Sequence, residues 1–415
     1  MLKEILGTIG TRYIIALLNL ALIFINAKVL GIEGVGTIGL IWASISINVT
    51  VNSIFSGSAI VYFIHKYPFH TLFPIAVVWT FLGSGLGCGA LSLLGILPAG
   101  YAFDVYGITV LYSLVIAHSR FLLGEDRIRG FNLTNMLQGG LLFFFLLFFY
   151  YAVNKREVSA YIWGMYLTNG VAFVVSLVML LPYIHRKKAP SEKSLFSIIK
   201  EMLVYGLWGS ADNIAETCTT RLNYFFVERF IGLGGVGLLD AGTRISESVW
   251  NISRGTAYIE YSRIAKTDDR VEQKRITLQL LKLTFLAVTA VTVCILLIPE
   301  WVYTDFLFNA DFKGIRGVIA ALAVGIVMLG CNTILSHYFI GSGKIRFSTA
   351  SSCIGLGVLL FAGFLLIPSF GLIGSVLSSS IAFSAMFIFS LSQFIRLTGC
   401  SGRDFLLTKA DFRLS

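Results

Sequence analysis

The sequence predicts an all-α polytopic membrane protein with about twelve transmembrane helices, in two parallel-repeat six-helix lobes around a central hydrophilic cavity. Three features predict this fold class: the composition, a succession of long apolar runs, and repetition between the two halves. Of 415 residues, 56% are hydrophobic and 13% are charged, and the mean hydropathy is +0.82. Soluble domains carry about 25% charged residues. The composition therefore argues for the bilayer as the main solvent.

The apolar runs are long enough to cross a membrane, which takes about 20 residues. They are too long for strands, and a helix satisfies its own backbone hydrogen bonds in lipid. We place the spans at residues 5–29, 36–63, 72–96, 105–124, 132–153, 160–184, 200–230, 235–261, 277–299, 315–340, 348–367 and 371–395.

The basic residues predict the orientation of these spans. Lysines and arginines concentrate in the even-numbered loops and at both ends of the chain, so the positive-inside rule places both termini in the cytosol. The same loops account for the net charge of +10, and no basic stripe with exposed aromatics indicates nucleic-acid binding. The loops between the predicted spans are short and hold no separate catalytic domain, which argues against an enzyme.

Short motifs repeat between the two halves of the chain. Residues 30–36 read LGIEGVG and residues 231–237 read IGLGGVG, while Arg127-Ile128-Arg129 after span four matches Lys344-Ile345-Arg346 after span ten. Six helices per repeat return the chain to the same side, so the repeats are parallel. We therefore predict an N-terminal lobe at 1–185, a basic cytosolic linker at 186–198, a C-terminal lobe at 199–396 and a cytosolic tail at 397–415.

One segment of span eight, GLLDAGTRISESVWNISRG at 237–255, carries charges inside an apolar region. Asp240, Arg244, Glu247, Asn251 and Arg254 follow one another at helical spacing and share one face of a helix. Each intramembrane charge costs roughly 2.5–3.5 kcal/mol on insertion scales, so these groups face one another or a water-filled cavity.

Two interpretations of this charged face stay open. In the structural one, Asp240 and Arg244 form an i,i+4 ion pair and Glu247 reaches Arg244 or Arg254. In the functional one, the arginines bind phosphate oxygens through their planar, permanently charged forks, and nearby amides bind a sugar. The predicted substrate-binding residues are Arg12, Arg221, Arg244, Arg254, Asn19, Asn48, Asn52 and Asn251.

Carboxylates in the same spans suggest coupling to an ion. A carboxylate in a low-dielectric cavity can take up a proton or coordinate Na⁺, and the sequence does not choose between these ions or exclude drive by the membrane potential. The predicted ion-coupling residues are Asp212, Glu216, Asp240 and Glu247. Six scattered cysteines, without a CxxC motif or a nearby histidine cluster, predict neither a disulfide nor a metal site, and no cofactor is expected.

The stretch RLNYFFVERFIGLGGVGLLDAGTRISE at 221–247, with its echo AKVLGIEGVGTIGL at 27–40, resembles the polysaccharide flippases of the multidrug/oligosaccharidyl-lipid/polysaccharide (MOP) exporter superfamily, in particular the Wzx type. The resemblance implies a MATE-like bundle in a bacterial inner membrane. It implies that an undecaprenyl-diphosphate-linked oligosaccharide is flipped from the cytoplasmic to the periplasmic leaflet for O-antigen or capsule synthesis. Family members carry cationic cavity residues at positions that match Arg12, Arg221, Arg244 and Arg254.

The expected partners are the lipid-linked oligosaccharide, membrane lipids and the polysaccharide polymerase machinery, with the protein itself a monomer. The alternative function is a cation-coupled multidrug or toxic-compound exporter of the same superfamily. A third hypothesis, an integral-membrane enzyme, lacks a sizeable outer loop and a catalytic histidine or carboxylate pair.

Overall fold

The structure is a computed structural model that describes residues 2–184, 193–264, 267 and 269–406. Side chains are described for residues 14–183, 193–257, 260–261, 263–264, 267 and 269–406. Within these ranges the chain is helical and contains no strand, which confirms the predicted all-α class. The α-helices are α1 Leu2–Ser56, α2 Ser58–Phe63, α3 Phe69–Leu93, α4 Ala102–Gly124, α5 Ile128–Leu147, α6 Val158–Ile184, α7 Leu195–Phe230, α8 Leu233–Ile264, α9 Arg270–Leu297, α10 Ile315–Gly341 and α11 Arg346–Thr398. Short π-helical turns at Phe148–Ala152 and Val302–Leu307 and 3₁₀ turns at Ala310–Phe312 and Gly402–Phe405 complete the chain.

The two longest helices each contain one glycine that redirects the chain. Helices α1 and α11 have 55 and 53 residues, which at 1.5 Å per residue is more than twice the thickness of a bilayer core. Gly31 interrupts α1 at φ 68° and ψ −175°, and Gly371 interrupts α11 at φ 56° and ψ −132°. Only glycine adopts these angles without steric cost. Each long helix is therefore a pair of spans.

Eight helical stretches of the described residues are long and apolar enough to cross a membrane, including both double-length helices. Helices α7 and α8 also have the length to cross once, but their charged residues make them less apolar. Within the described residues, the eight stretches give ten spans when each double-length helix counts as two, and α7 and α8 bring the number to the predicted twelve.

The repeat between the halves extends to the backbone. Gly31 and Gly232 occupy equivalent positions in the two glycine-rich motifs, and both have positive φ, at 68° and 100°. Within the motif the backbone packs tightly in the same way in both halves. A Cβ on Gly34 would lie 2.6 Å from Leu30, and a Cβ on Gly235 would lie 2.6 Å from Ile231.

The turn that precedes α5 and the turn that precedes α11 in the second half are also copies. Asp126 and Gly343 have φ of 57° and 73°. The next residue closes the turn in both cases: the N–H of Arg127 donates to Leu122 at 2.8 Å, and that of Lys344 donates to Phe339 at 2.7 Å. Such a C-terminal cap favours glycine but accepts a short acidic residue.

By contacts between its helices, the chain divides into two compact units, Met1–Thr217 and Cys218–Ser415. The boundary lies inside α7. The first part of this helix packs in the first unit, where Ile198 and Met202 are buried in a cluster with residues of α1 to α4 and α6. Tyr67 donates a hydrogen bond to Glu201 at 2.6 Å in the same unit.

The predicted lobes, linker and tail stay predictions. Of the linker at 186–198, residues 186–192 lie outside the described residues, as do residues 407–415 of the tail. The described part of the tail forms the 3₁₀ turn Gly402–Phe405, where Asp404 accepts a hydrogen bond from Lys274 at 2.8 Å.

Within the second unit, α8 and α10 approach closely. A Cβ added to Gly242 of α8 would lie 2.6 Å from Val318, and one added to Gly330 of α10 would lie 2.5 Å from Ser253. Small residues let membrane helices pack backbone to backbone, so this contact fixes α8 along much of its length. It thereby holds the charged face of α8 in position.

Candidate functional site

The predicted site residues fall into both units. The first unit contains Arg12, Asn19, Asn48, Asn52, Asp212 and Glu216, and the second contains Arg221, Asp240, Arg244, Glu247, Asn251 and Arg254. In the second unit the structure brings four of them, Arg221, Asp240, Arg244 and Glu247, into one hydrogen-bonded group between α7 and α8.

Asp240 is the most deeply buried member of this group. The Arg244 Nε lies 2.9 Å from Asp240 Oδ1 and 2.8 Å from Oδ2, which is the i,i+4 pair that the spacing predicts. The hydroxyl of Tyr224 on α7 donates a second hydrogen bond to Oδ1 at 3.1 Å. The Asp240 side chain is 4% exposed and that of Arg244 is 24% exposed. The pair is therefore largely withdrawn from solvent.

Arg221 and Glu247 form the second ion pair, which joins α7 to α8. Nη1 of Arg221 lies 3.0 Å from Oε1 of Glu247, and Nη2 donates to Oε2 at 3.2 Å. This two-point geometry is typical of strong arginine–carboxylate pairs. Nη1 also contacts the hydroxyl of Tyr224 at 3.4 Å. Tyr224 thereby links the two ion pairs into one network.

Arg254 is held differently. Its guanidinium carbon lies 3.7 Å from the centre of the Trp250 ring, and the side chain is exposed. Among the described residues, no carboxylate forms an ion pair with it. Trp250 is itself fixed, because its indole N–H donates to Thr333 on α10 at 2.7 Å. Stacking occupies a face of the guanidinium and leaves the N–H donors along its edge available to an anion.

A cleft opens beside the paired charges within the second unit, with an empty volume of about 390 Å³ that includes space open to solvent. Hydroxyl and amide groups and apolar side chains both line it. Its lining residues are Thr220, Asn223, Tyr224, Leu239, Thr243, Glu247, Leu322, Ile326, Leu329, Val376, Ser379 and Phe383. Asn223 donates to the Ser375 carbonyl at 2.9 Å and to the Ser379 hydroxyl at 2.5 Å, which orients its amide. Such a lining can hydrogen-bond a polar, uncharged group.

The asparagines of the first unit lie in two environments. Asn48 and Asn52 are fully buried, and Asn52 donates to the hydroxyls of Ser84 and Ser113 at 2.9 and 2.8 Å. Asn48 donates to the sulfur of Cys88 at 3.2 Å. Their amides therefore join α1 to α3 and α4 in this structure, and their predicted role in substrate binding stays a prediction.

Five other predicted residues remain, and the side chains of four of them are described. Asn19 on α1 and Asn251 on α8 are exposed, and Asp212 and Glu216 on α7 are partly buried. Arg12 lies within α1, but its side chain is outside the described side chains. The predicted binding and ion-coupling roles of these residues are not tested by their positions.

The sequence analysis missed three polar residues. Tyr224, three residues after Arg221, could have been found from its helical spacing to the charged stripe. Arg120 is partly buried on α4 and carries an intramembrane charge, which is itself a signal of function. Glu260 is buried on α8, where it lies off the charged face and so escapes the spacing argument.

Comparisons with known proteins were made by sequence and by structure. No family model matches the chain. A curated relative, an uncharacterized membrane protein of Methanocaldococcus jannaschii, is 25% identical over an alignment of 236 residues, and the match covers 52% of this chain and 45% of that protein. The match therefore spans less than half of the relative's length.

Solved structures match along almost the whole chain. An inward-facing MATE-family multidrug resistance transporter of the MOP superfamily aligns with a TM-score of 0.70 at 17% identity, covering 94% of this chain and 96% of that one. The lipid II flippase MurJ, in an inward closed conformation, aligns with a TM-score of 0.69 at 12% identity, covering 98% and 89%. The fold is the MATE-like transporter fold.

The MATE-like fold confirms the predicted fold class. A further structure with this fold, the MATE multidrug transporter DinF-BH, aligns with a TM-score of 0.67 at 14% identity, covering 97% of this chain and 95% of that one. Two of these neighbours are described as multidrug transporters and one as a flippase. The chain is a polytopic membrane protein whose fold is similar to that of these transporters.

Proposed function

We propose that this protein flips an undecaprenyl-diphosphate-linked oligosaccharide across the membrane for surface polysaccharide synthesis. The observation that carries the proposal is Arg254, an exposed guanidinium held on Trp250 without a carboxylate partner among the described residues. A diphosphate is the group on a lipid-linked sugar that such a guanidinium binds best, because its oxygens match the planar fork and its charge is permanent.

The charge of the surrounding group supports an anionic ligand. Arg221, Arg244 and Arg254 contribute three positive charges, while Asp240 and Glu247 contribute two negative charges that are already engaged in ion pairs. A positive charge is thus left over on α8. A site for cationic drugs would be expected to have a surplus of acidic or aromatic groups instead.

The cleft supports the sugar part of the proposed substrate. Its hydroxyls and amides from Thr220, Asn223, Thr243 and Ser379 can exchange hydrogen bonds with sugar hydroxyls, while the polyprenyl chain stays in the bilayer. One protein of the same fold, MurJ, is itself a flippase, for lipid II. We propose alternating access as the mechanism, as is common for transporters built from internal repeats.

Ion coupling follows from the same network. A diphosphate that approaches Arg221 would compete with Glu247, and a carboxylate that loses its partner gains affinity for a proton or Na⁺. Asp240 and Glu247 would then bind the coupling ion more tightly when the substrate binds. Asp212 and Glu216 stay proposed coupling residues of the first unit. Drive by the membrane potential is the alternative.

The cellular setting is part of the proposal. We propose a bacterial inner membrane with both termini in the cytosol, a monomeric protein, and the polysaccharide polymerase machinery as a functional partner. The concentration of basic residues in the even-numbered loops supports this orientation.

Reconstituted proteoliposomes test the proposed substrate class. The probe is a polyprenyl-diphosphate disaccharide with a fluorescent sugar, whose accessibility to a membrane-impermeant quencher reports flipping. We expect the wild-type protein to flip this probe faster than protein-free vesicles do, and to leave a disaccharide lipid without the diphosphate in its leaflet. Equal rates for the two lipids would overturn the proposal. Transport of the cationic dye ethidium, with no flipping of the diphosphate lipid, would establish the multidrug exporter instead.

A further inference from the structure

Glu260 lies on the side of α8 that faces away from the arginines. It follows Asp240 by about twenty residues, which at 100° per residue places it about 200° around the helix. It shares its side with Ala257 and Ile264, which are 0% and 1% exposed. Glu260 therefore does not belong to the charged helix face that predicts the candidate site.

The carboxyl of Glu260 is fully buried. Its exposed fraction is 0%, and neither oxygen has a hydrogen-bond partner among the described residues. Ala257 and Ile264, on either side of it, belong to an apolar cluster built by α8, α9, α10 and α11. Its other members include Ile276 of α9, Cys331 and Tyr338 of α10, and Phe394 of α11.

The polar groups near this carboxyl compensate little of a negative charge. The hydroxyl of Thr277 on α9 lies beside it, but its hydrogen is already donated to the Gln273 carbonyl at 2.9 Å. It can therefore only accept a hydrogen bond from a protonated acid. From α10, the phenol of Tyr338 is within electrostatic reach of Glu260.

The charged groups at this end of the unit are engaged elsewhere or exposed. Lys274 pairs with Asp404 at 2.8 Å, and Arg275 pairs with Glu272 at 3.7 Å. Arg270, at the start of α9, is exposed, and the Cys400 thiol of the C-terminal segment lies near Tyr338. None of these forms a described ion pair with Glu260.

An ionised carboxylate in this environment would be both dehydrated and unpaired. Burying an unpaired charge away from water is strongly unfavourable, so the group holds its proton instead. A polar side chain at a fully buried position also has a destabilising effect that leucine or alanine would not have. Its presence is explained if the proton can leave when the packing opens.

We propose that Glu260 is a proton-binding site whose proton is released to water when α8, α9 and α10 separate at this end. In the packed arrangement the carboxyl is neutral; in an opened arrangement water solvates the carboxylate and the O–H bond ionises. The proton site stands independently of the proposed function. Its use as a coupling step, in which proton release accompanies a transport conformation, rests on that proposed function.

Infrared difference spectroscopy of the purified full-length protein in nanodiscs tests the proton. At neutral pH we expect a carboxylic-acid C=O band in the wild type that is missing in Glu260→Gln and retained in Glu272→Gln, whose side chain is 45% exposed. Glu260→Met, which has a similar length and no charge, replaces the glutamine variant if that variant does not fold. A wild-type spectrum without this band, or a band unchanged in either Glu260 variant, would overturn the assignment.

Thiol labelling tests the opening. Cys331 is 1% exposed and belongs to the same apolar cluster, so its labelling reports separation of the helices. In protein whose other cysteines are serine, the labelling rate is divided at each pH by that of the Glu260→Gln version, which cancels the titration of the thiol. We expect a ratio near one at acidic pH that rises severalfold as the pH is raised. A ratio that stays flat would contradict the opening.

Asp404 is a second titratable group at this end of the unit. Its effect on packing has the opposite pH dependence to that of Glu260, so the two effects can be distinguished. The hydrogen bond from Lys274, with the Ser401 N–H, lowers the pKa of Asp404. A lowered pKa stabilises the folded arrangement at higher pH, and this contribution is lost as the pH falls through the folded-state pKa. Loosening of the C-terminal segment by Asp404 is therefore an acid effect.

Transport that is unaffected in Glu260→Gln, with the infrared band lost, would remove the coupling step while leaving the proton site and the flippase proposal intact.

Discussion

Arg221 and Glu247 join α7 to α8 by two contacts, with Nη1 and Oε1 3.0 Å apart and Nη2 and Oε2 3.2 Å apart. Their side chains are 16% and 21% exposed, so the pair is mostly withdrawn from water. Residues on two different helices thus share one charge-balanced contact. The predictions below separate the structural part of the charged network from the part available to substrate.

The Arg221–Glu247 pair is expected to stabilise the contact between α7 and α8. In a double-mutant cycle with Arg221→Gln and Glu247→Gln, we expect a coupling energy of about 0.5–3 kcal/mol in the free energy of unfolding, as found for residues in direct contact. Each single variant leaves one buried charge unpaired. The destabilisations of the two single variants should therefore add up to more than the destabilisation of the double variant. Strict additivity of the two effects would rule out the pair as a stabilising contact.

Arg244 and Arg254 are expected to differ in stability effects. Among the described residues, Arg244→Ala leaves the buried Asp240 with only Tyr224 as a donor, and breaking a buried pair costs about 3–5 kcal/mol. Arg254→Ala removes an exposed stacking contact worth about 1 kcal/mol or less. Unfolding in a graded detergent mixture compares the two variants directly. Equal destabilisation by both would contradict the assignment of Arg244 to the structure and Arg254 to the ligand.

The packing of α1 on α3 depends on glycines that approach the buried asparagines. A Cβ on Gly87 would lie 1.9 Å from the Asn48 Oδ1, and a Cβ on Gly89 would meet nothing within 4 Å. We expect Gly87→Ala to destabilise the protein by about 1–3 kcal/mol, as for an overpacked core. Gly89→Ala, its control on the same helix, should be neutral or stabilising by about 0.4–1 kcal/mol. Thermal unfolding of the two variants measures the difference, and a neutral Gly87→Ala would show that Asn48 is free to move.

Gly371 is expected to tolerate no side chain at the break of α11. At φ 56° and ψ −132° an alanine is strained by about 1–3 kcal/mol. Gly357 lies on the same helix with nothing within 4 Å of an added Cβ, so Gly357→Ala is the matched control. The comparison requires the unfolding midpoint of both variants. A drop in the control as large as that in Gly371→Ala would remove the argument from backbone angles.

The fold could be predicted from the sequence because it depends on local properties. Apolar runs of bilayer length fix the helices, and the glycine-rich motif at 30–36 marks where the first two spans meet, at Gly31. That α1 continues as a helix on both sides of this glycine could not be predicted, since a tight break and a loop have the same composition.

The charged site could be predicted only along single helices. The i,i+4 spacing gives the Asp240–Arg244 pair, which the structure confirms. The structural interpretation also has Glu247 reach Arg244 or Arg254 along the same helix, whereas the structure pairs Glu247 with Arg221 on α7. Spacing within one helix contains no information on which residue a neighbouring helix presents.

Buried polar residues show a second limit. Asn52 follows the same helical stripe as residues that would line a cavity, yet its amide is fully buried against Ser84 and Ser113. A stripe of amides predicts a polar neighbour of either kind, water or another helix. The choice depends on α3 and α4, whose register relative to α1 is not encoded in α1 itself.

The central claim is that Arg254 binds the diphosphate of a lipid-linked oligosaccharide. Its most direct test is the affinity of the purified protein for a polyprenyl-diphosphate disaccharide, compared between wild type, Arg254→Ala and Arg263→Ala, where Arg263 is an exposed arginine near the end of the same helix. Hydrogen bonds to charged groups contribute about 1.5–3 kcal/mol, which corresponds to a loss of affinity of about tenfold to a hundredfold. We predict this loss for Arg254→Ala and an affinity close to wild type for Arg263→Ala. Wild-type affinity in Arg254→Ala would contradict the claim.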